Sequence, residues 1–203
     1  MCARKVRRKK KRKKIGCLLL LLLLFIPVIV ITFSSVTDPS IETFAKLHGL
    51  SEDEWPRELI EMLEKNPEAK DYVLNYPLKK DMDYEVDLSE LSYSENVPLL
   101  LQWDERWGYN TYAGELMGLS GCGPTCLSMV SIYLLNDTSL SPEYIANFSE
   151  ENGYCVSRKG STWTLISEGG EKLGLDVTEI AYSEEFIKIS LQSGNPIICI
   201  MGP

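Results

Sequence analysis

Gly121-Cys122-Gly123-Pro124-Thr125-Cys126-Leu127-Ser128-Met129-Val130 is the stretch on which the reading of this chain turns. A Gly-Cys-Gly-Pro turn leads into an apolar run. Pro124 suits the first turn of a helix, where its missing N–H costs little. Cys126, Leu127, Val130 and Leu134 then recur at helical spacing, so one face is apolar and expected to be buried. Cys122 therefore stands at the N-terminus of a core helix, where the positive end of the macrodipole favours the anionic, nucleophilic form of a thiol. A small buried cysteine in a tight turn is the competing reading, because free cysteines mostly fill cores. The segment alone leaves the two level.

At 203 residues there is room for one domain with appendages. The net charge of -8 hides an asymmetry: ten of the 21 Lys and Arg fall between Arg4 and Lys14. The remaining 11 face all 29 Asp and Glu, so the rest of the chain carries a net charge of -18. A body this acidic makes a poor nucleic-acid binder, since phosphate contacts need basic residues. No nucleic-acid partner is expected.

The basic tract, residues 1–14, reads instead as a cytoplasmic tail, because Ile15 to Phe33 follows with 19 uncharged, leucine-rich residues. At about 1.5 Å per residue a helix of that length just crosses a hydrocarbon core of about 30 Å. Pro27 is tolerable in such a helix. The Lys/Arg cluster before it predicts a cytoplasmic N-terminus and an exported body. A cleaved signal peptide competes, but no small-x-small site follows Phe33 and the apolar run exceeds the usual h-region. The expectation is a single-pass signal anchor over 15–33 in the cell membrane, with the body extracellular.

Of six cysteines, Cys2 and Cys17 lie in or beside that anchor, leaving Cys122, Cys126, Cys155 and Cys199. Four is sparse for a disulfide scaffold of this size. A zinc site is not expected either: there is no C-x-x-C pair, and the one histidine, His48, lies far upstream. No metal and no cofactor are expected. His48 sits in a polar stretch with nothing beside it to orient a general base, and it reads as a solvated, idle imidazole.

Residues 34–96 read as an acidic, partly helical connector. Ser51 and Glu54 make a capping-box pattern ahead of a helix over Pro56 to Lys65, and Asn66-Pro67 starts a second short helix through Leu74. Tyr76-Pro77 and the charges from Lys79 to Asp83 read as loop. A domain over 97–203 opens with Val97-Pro98-Leu99-Leu100-Leu101-Gln102-Trp103, extended because of Pro98. Ser141-Pro142-Glu143 caps a helix through Glu150. A further helix runs from Trp163 to Leu173, closed by Gly174. Leu175 to Ala181 alternates like a strand, Ser183-Glu184-Glu185 caps a helix to Gln192, and Pro196 to Met201 reads as a buried strand. Helices first and strands later give an α+β class.

Gln102 stands 20 positions before Cys122, within Val-Pro-Leu-Leu-Leu-Gln-Trp-Asp-Glu-Arg-Trp. Together with Gly-Cys-Gly-Pro-Thr-Cys-Leu-Ser-Met-Val, it resembles the papain-like cysteine peptidases of the bacteriocin-processing kind, cysteine peptidase family thirty-nine. The likeness is to the stand-alone, surface-anchored branch in Gram-positive bacteria, and it runs from about Val97 to Pro203. Gly160-Ser161-Thr162-Trp163 and Asn195-Pro196-Ile197-Ile198 agree in order. The resemblance implies a papain-like fold, with a peptide or protein as substrate. Cys122 would be the nucleophile and Gln102 the donor that, with the cysteine's backbone N–H, binds the oxyanion. Preorganised donors of that kind are worth about 2.7–4 kcal/mol each. Cys126, one turn on, would be a packing residue, with a regulatory disulfide to Cys122 as the alternative.

The chain departs from the family where the general base belongs. The family places a histidine just after the strand that here reads Pro196 to Met201, then an Asp or Asn to orient it. No histidine follows His48. The expectation is thus a papain-like domain incomplete at its C-terminus, inactive as it stands or a fragment. Two other readings stay open: a non-catalytic anchored module that binds peptide or cell-wall partners, and a papain-fold amidase or transglutaminase-like enzyme sharing the same acyl-thioester chemistry.

Overall fold

The computed structural model describes residues 41–200 and divides the chain into two units, Met1–Glu52 and Asp53–Pro203. The basic tail and the expected anchor over 15–33 lie outside the described residues. No helix among the described residues is long and apolar enough to cross a membrane.

In the first unit the described element is α1, Ile41–His48. It carries an exposed Lys46–Glu42 ion pair at 2.6 Å, and the His48 ring packs on that of Phe44 with centroids 4.2 Å apart. Such a pair, four residues apart on an exposed helix face, is screened by solvent and contributes little to stability.

The second unit begins with α2, Arg57–Lys65, and α3, Lys70–Lys79, bridged by a 3₁₀ turn over Pro67–Ala69. α3 continues past the expected loop at Tyr76-Pro77, and the physical reason is specific. A proline in a helix removes the N–H that would bond the carbonyl four residues back. Here that carbonyl belongs to Val73, and the buried Trp55 indole N–H donates to it at 2.8 Å. The orphan acceptor is satisfied, so the helix runs on to Lys79. Tyr72 and Tyr109 stack with centroids 4.6 Å apart; Tyr72 donates to the Gly108 carbonyl at 2.7 Å and Tyr109 donates to the Tyr72 carbonyl at 2.8 Å. These contacts tie α3 into the stretch after residue 97.

Two short hairpins follow, each antiparallel and two-stranded: β1, Thr111–Tyr112, with β2, Glu115–Leu116; and β3, Cys155–Val156, with β4, Gly160–Ser161. Between them lie α4, Met117–Ser120, α5, Cys122–Leu135, and α6, Pro142–Glu151. Ser141 caps α6, its Oγ accepting the Tyr144 N–H at 3.1 Å. Asn136, left-handed at φ 52°, ends α5.

α5 is apolar nearly all round, as a central helix is. On one side Ile132 joins Leu88, Leu100, Trp107, Tyr112 and Met117. On the other Leu127 joins Leu140, Ile145, Tyr154 and Leu165. The buried positions of α5 are Pro124, Thr125, Leu127, Ser128, Ser131 and Ile132, whereas Leu134 is exposed and Cys126 and Val130 are half-buried. The stripe read from sequence as the core face is therefore turned partly outward.

The C-terminal part departs furthest from expectation. The helix expected over Trp163 to Leu173 is broken into a 3₁₀ turn, Trp163–Leu165, and the short α7, Glu168–Lys172. α8, Glu184–Gln192, forms where expected but buries no residue. Neither Leu175–Ala181 nor 196–200 is a strand. The expected α+β, papain-like fold is overturned: about half of the described residues are helical, the strands form two small antiparallel hairpins, and no sheet joins the C-terminal segments. A strand needs a neighbour for its ladder, and neither segment has one among the described residues.

Candidate functional site

Cys122 is the first residue of α5, and its side chain is exposed. Both flanking glycines are demanded by close approach rather than by an unusual φ. A Cβ at Gly121 would lie 2.5 Å from the Met117 carbonyl oxygen, and one at Gly123 would lie 2.3 Å from Ser161 Oγ. No other residue fits without displacing backbone or hairpin. Thr125 secures the turn from within the helix, its N–H and its Oγ both donating to the Gly121 carbonyl, at 3.0 and 2.8 Å.

The hairpin against Gly123 is fixed in turn. The buried Tyr112 hydroxyl lies 2.7 Å from Ser161 Oγ and 2.8 Å from Ser149 Oγ, linking β4 to α6. Ser120 Oγ donates to the Tyr112 carbonyl at 2.9 Å, closing the circuit one residue before the Gly121 turn. Each of these buried hydroxyls has a partner, which is the condition for burying them cheaply. Sequence alone assigns Tyr112, Ser120 and Ser161 no role in holding the Cys122 turn, because these contacts exist only once the fold brings the residues together.

Gln102 is half-buried, and its side-chain amide donates to the Gly118 carbonyl at 2.8 Å. That carbonyl belongs to α4, four residues before Cys122, so Gln102 and Cys122 meet the same short segment, Gly118 to Cys122. No hydrogen bond joins Gln102 to Cys122. A glutamine amide carries two N–H donors; one is used on Gly118, and the oxyanion role needs the other. Gln102 also lines an open, mixed-polarity cleft of about 420 Å³ with Glu58, Met62 and Lys65 of α2 and with Trp103 and Leu119. The contribution of α2 to this surroundings had no signal in the sequence.

The four cysteines of the described residues are free thiols. Burial pushes the Cys126 thiol up, with Cys122 beside it as the second cause, and burial likewise pushes up Cys155, followed by Glu150. Both are thereby poorer nucleophiles near neutrality. Among the described residues no cluster of His, Cys, Asp and Glu could hold a metal ion. His48 belongs to the first unit, and the second contains no histidine.

Compared with protein-family models, with curated proteins and with solved structures, the chain finds no match.

Proposed function

We propose that Cys122 is the nucleophile of a thiol acyl-transfer site for peptide substrates, with Gln102 donating to the developing oxyanion. The observation that carries this reading is an exposed cysteine heading a 14-residue central helix, between two glycines that its neighbours make obligatory. The likeness of Gln102 and Gly121–Val130 to the bacteriocin-processing cysteine peptidases supports the same roles. In the step proposed, the Cys122 thiolate adds to a carbonyl carbon. The tetrahedral oxyanion takes a hydrogen bond from Gln102, and the leaving group departs to give an acyl thioester, which water then hydrolyses.

The described residues of the second unit include no imidazole to deliver a proton to a departing amine. General acid–base assistance contributes about 10²–10⁴-fold; an activated acyl group whose leaving group departs as an anion needs no such proton and so tests Cys122 and Gln102 by themselves. The leucine-rich run over 15–33 behind a basic tract supports display of this site outside the cell on a single-pass anchor.

The test uses the full chain with a peptidyl p-nitrophenyl ester, read by intact-mass and peptide mapping. One acyl group is expected on Cys122, and none in Cys122→Ala. Gln102→Ala is expected to slow acylation by about 10²–10³-fold while leaving alkylation by iodoacetamide unchanged, because alkylation builds no oxyanion. Acylation at another residue, or equal loss of both reactions in Gln102→Ala, overturns the assignment.

A second reading is favoured by one observation, an open, largely apolar cleft beside α5. It makes the protein a non-catalytic module that binds peptides; saturable peptide binding with no acylation of Cys122 would establish it in place of the first.

A further inference from the structure

The half-turned stripe of α5 has a counterpart. Cys126, Met129, Val130 and Tyr133 form one wall of an open cleft of about 460 Å³, and Pro196 to Cys199 lie along the other. Two free thiols, Cys126 and Cys199, thus line the same space. Ile198, next to Cys199, packs against the cluster that contains Leu127, the neighbour of Cys126.

The two walls are held very differently. Cys126 sits inside a backbone-bonded helix. On the other side, the Asn195 N–H donates to the Ser190 carbonyl at 3.0 Å, and beyond it no backbone hydrogen bond holds 196–200 among the described residues. The chain enters this segment through Gly194 at φ +79°, a conformation that costs glycine little. The segment therefore meets α5 through side chains, without a backbone ladder to fix it.

We propose that Cys126 and Cys199 are a redox pair whose oxidation to a disulfide latches the 196–200 segment across the cleft, one helical turn from Cys122. The latch does not depend on Cys122 being a nucleophile.

The oxidant is a low-molecular-weight disulfide such as oxidised glutathione. The exposed Cys199 thiolate attacks one sulfur of that disulfide, expels one glutathione thiolate and leaves a mixed disulfide on Cys199. The Cys126 thiolate then attacks Cys199 Sγ and expels the second glutathione. Two protein thiols are oxidised and one small disulfide is reduced to two thiols; the two protons released from the cysteines pass through solvent to the expelled thiolates.

The other pairings lack this shared cleft. Cys122 and Cys126 are four apart on one helix, where Cβ atoms stand about 5–6 Å apart, beyond the roughly 3.5–4.5 Å that a disulfide requires. Cys155 lies on β3 and packs against the opposite cluster, with Trp107 and Tyr112.

The experiment equilibrates the full chain with graded mixtures of reduced and oxidised glutathione, alkylates the remaining thiols, digests without reduction and maps the peptides. At the oxidising end the expected product is a cross-linked pair carrying Cys126 and Cys199, two hydrogens lighter than the free peptides, with Cys155 and Cys122 alkylated. Cys126→Ser and Cys199→Ser each abolish it, and Cys155→Ser keeps it. In parallel, cleavage by added protease within 193–200 is expected to be lost on oxidation and restored by dithiothreitol in the same sample. A Cys122–Cys126 link, a link to Cys155, scrambled pairs, or full alkylation of all four cysteines at the oxidising end overturns the proposal.

Discussion

The turn at Gly121 and the stretch from Asp176 to Ile200 belong to one unit, yet they are built on opposite principles. Around Gly121 every neighbour is specified: Met117 excludes a side chain at 121, Ser161 excludes one at 123, and Tyr112 and Ser120 lock both flanks through hydroxyls. From Asp176 to Ile200 no residue is buried, and Phe186, Ile189 and Leu191 of α8 are each more than half exposed. The first region is over-determined by long-range packing. The second forms no backbone ladder with the rest of the unit; beyond its own helix and turns it meets the unit through side chains such as Ile198. An exposed thiol held in the first kind of region is presented in one geometry, which is what a nucleophile requires.

The widest gap between the regions should appear in stability. Trp107 is fully buried, with its indole N–H donating to the Leu101 carbonyl at 2.9 Å, and Trp107→Ala should cost about 3–5 kcal/mol. Phe186→Ala in α8 should stay within about 0.5 kcal/mol, as exposed substitutions do. Urea unfolding of the two variants measures both, and equal losses would erase the contrast.

Gly123→Ala sharpens it at a single methyl. Overpacking against Ser161 should cost about 1–3 kcal/mol, and adding Ser161→Gly in the same chain should recover part of that cost even though it gives up the bond to Tyr112. Recovery reads as a non-additive double-mutant cycle; strictly additive losses would mean that Ser161 is not what Gly123 makes room for.

A smaller effect follows pH. Burial raises the hydroxyls of Tyr72 and Tyr109 well above the ordinary tyrosine range, with Tyr76 and Glu105 respectively as the next causes. Both stay protonated in the folded chain while the unfolded chain ionises. Their contribution is therefore intact below the unfolded value of about 10 and falls above it by about 1.4 kcal/mol per pH unit for each group. Urea midpoints should be level from pH 8 to 9 and drop between 10 and 11, with a shallower drop in Tyr109→Phe. A flat profile would show that the packing of α3 on the following stretch is loose.

What could be read from sequence divides along the same line. The start of α5 at Cys122, the Ser141 cap and the bounds of α8 follow from neighbours within a few residues, and they stand. The strands at 175–181 and 196–201 depended on partners that local pattern does not supply, and they do not form within the described residues. Pro77 looked like a helix stop because the rescue of the Val73 carbonyl comes from Trp55, 18 residues away. The buried face of α5 was misplaced because periodicity cannot orient a helix that is apolar nearly all round; Ser128 is buried by donating to the Leu140 carbonyl at 2.6 Å. Of the site, the Gly-Cys-Gly turn was visible as a pattern, but its reasons, Met117 and Ser161, were not.

The central claim is that this turn presents Cys122 as a reactive thiol, and its most direct test is the rate of alkylation at each cysteine in the folded and the urea-unfolded chain at pH 7, read by peptide mapping. Cys122 should react faster folded than unfolded. Cys126 and Cys155, pushed up by burial, should react slower folded than unfolded. Folded-state reaction at Cys122 no faster than in urea would make it an ordinary surface cysteine and contradict the claim.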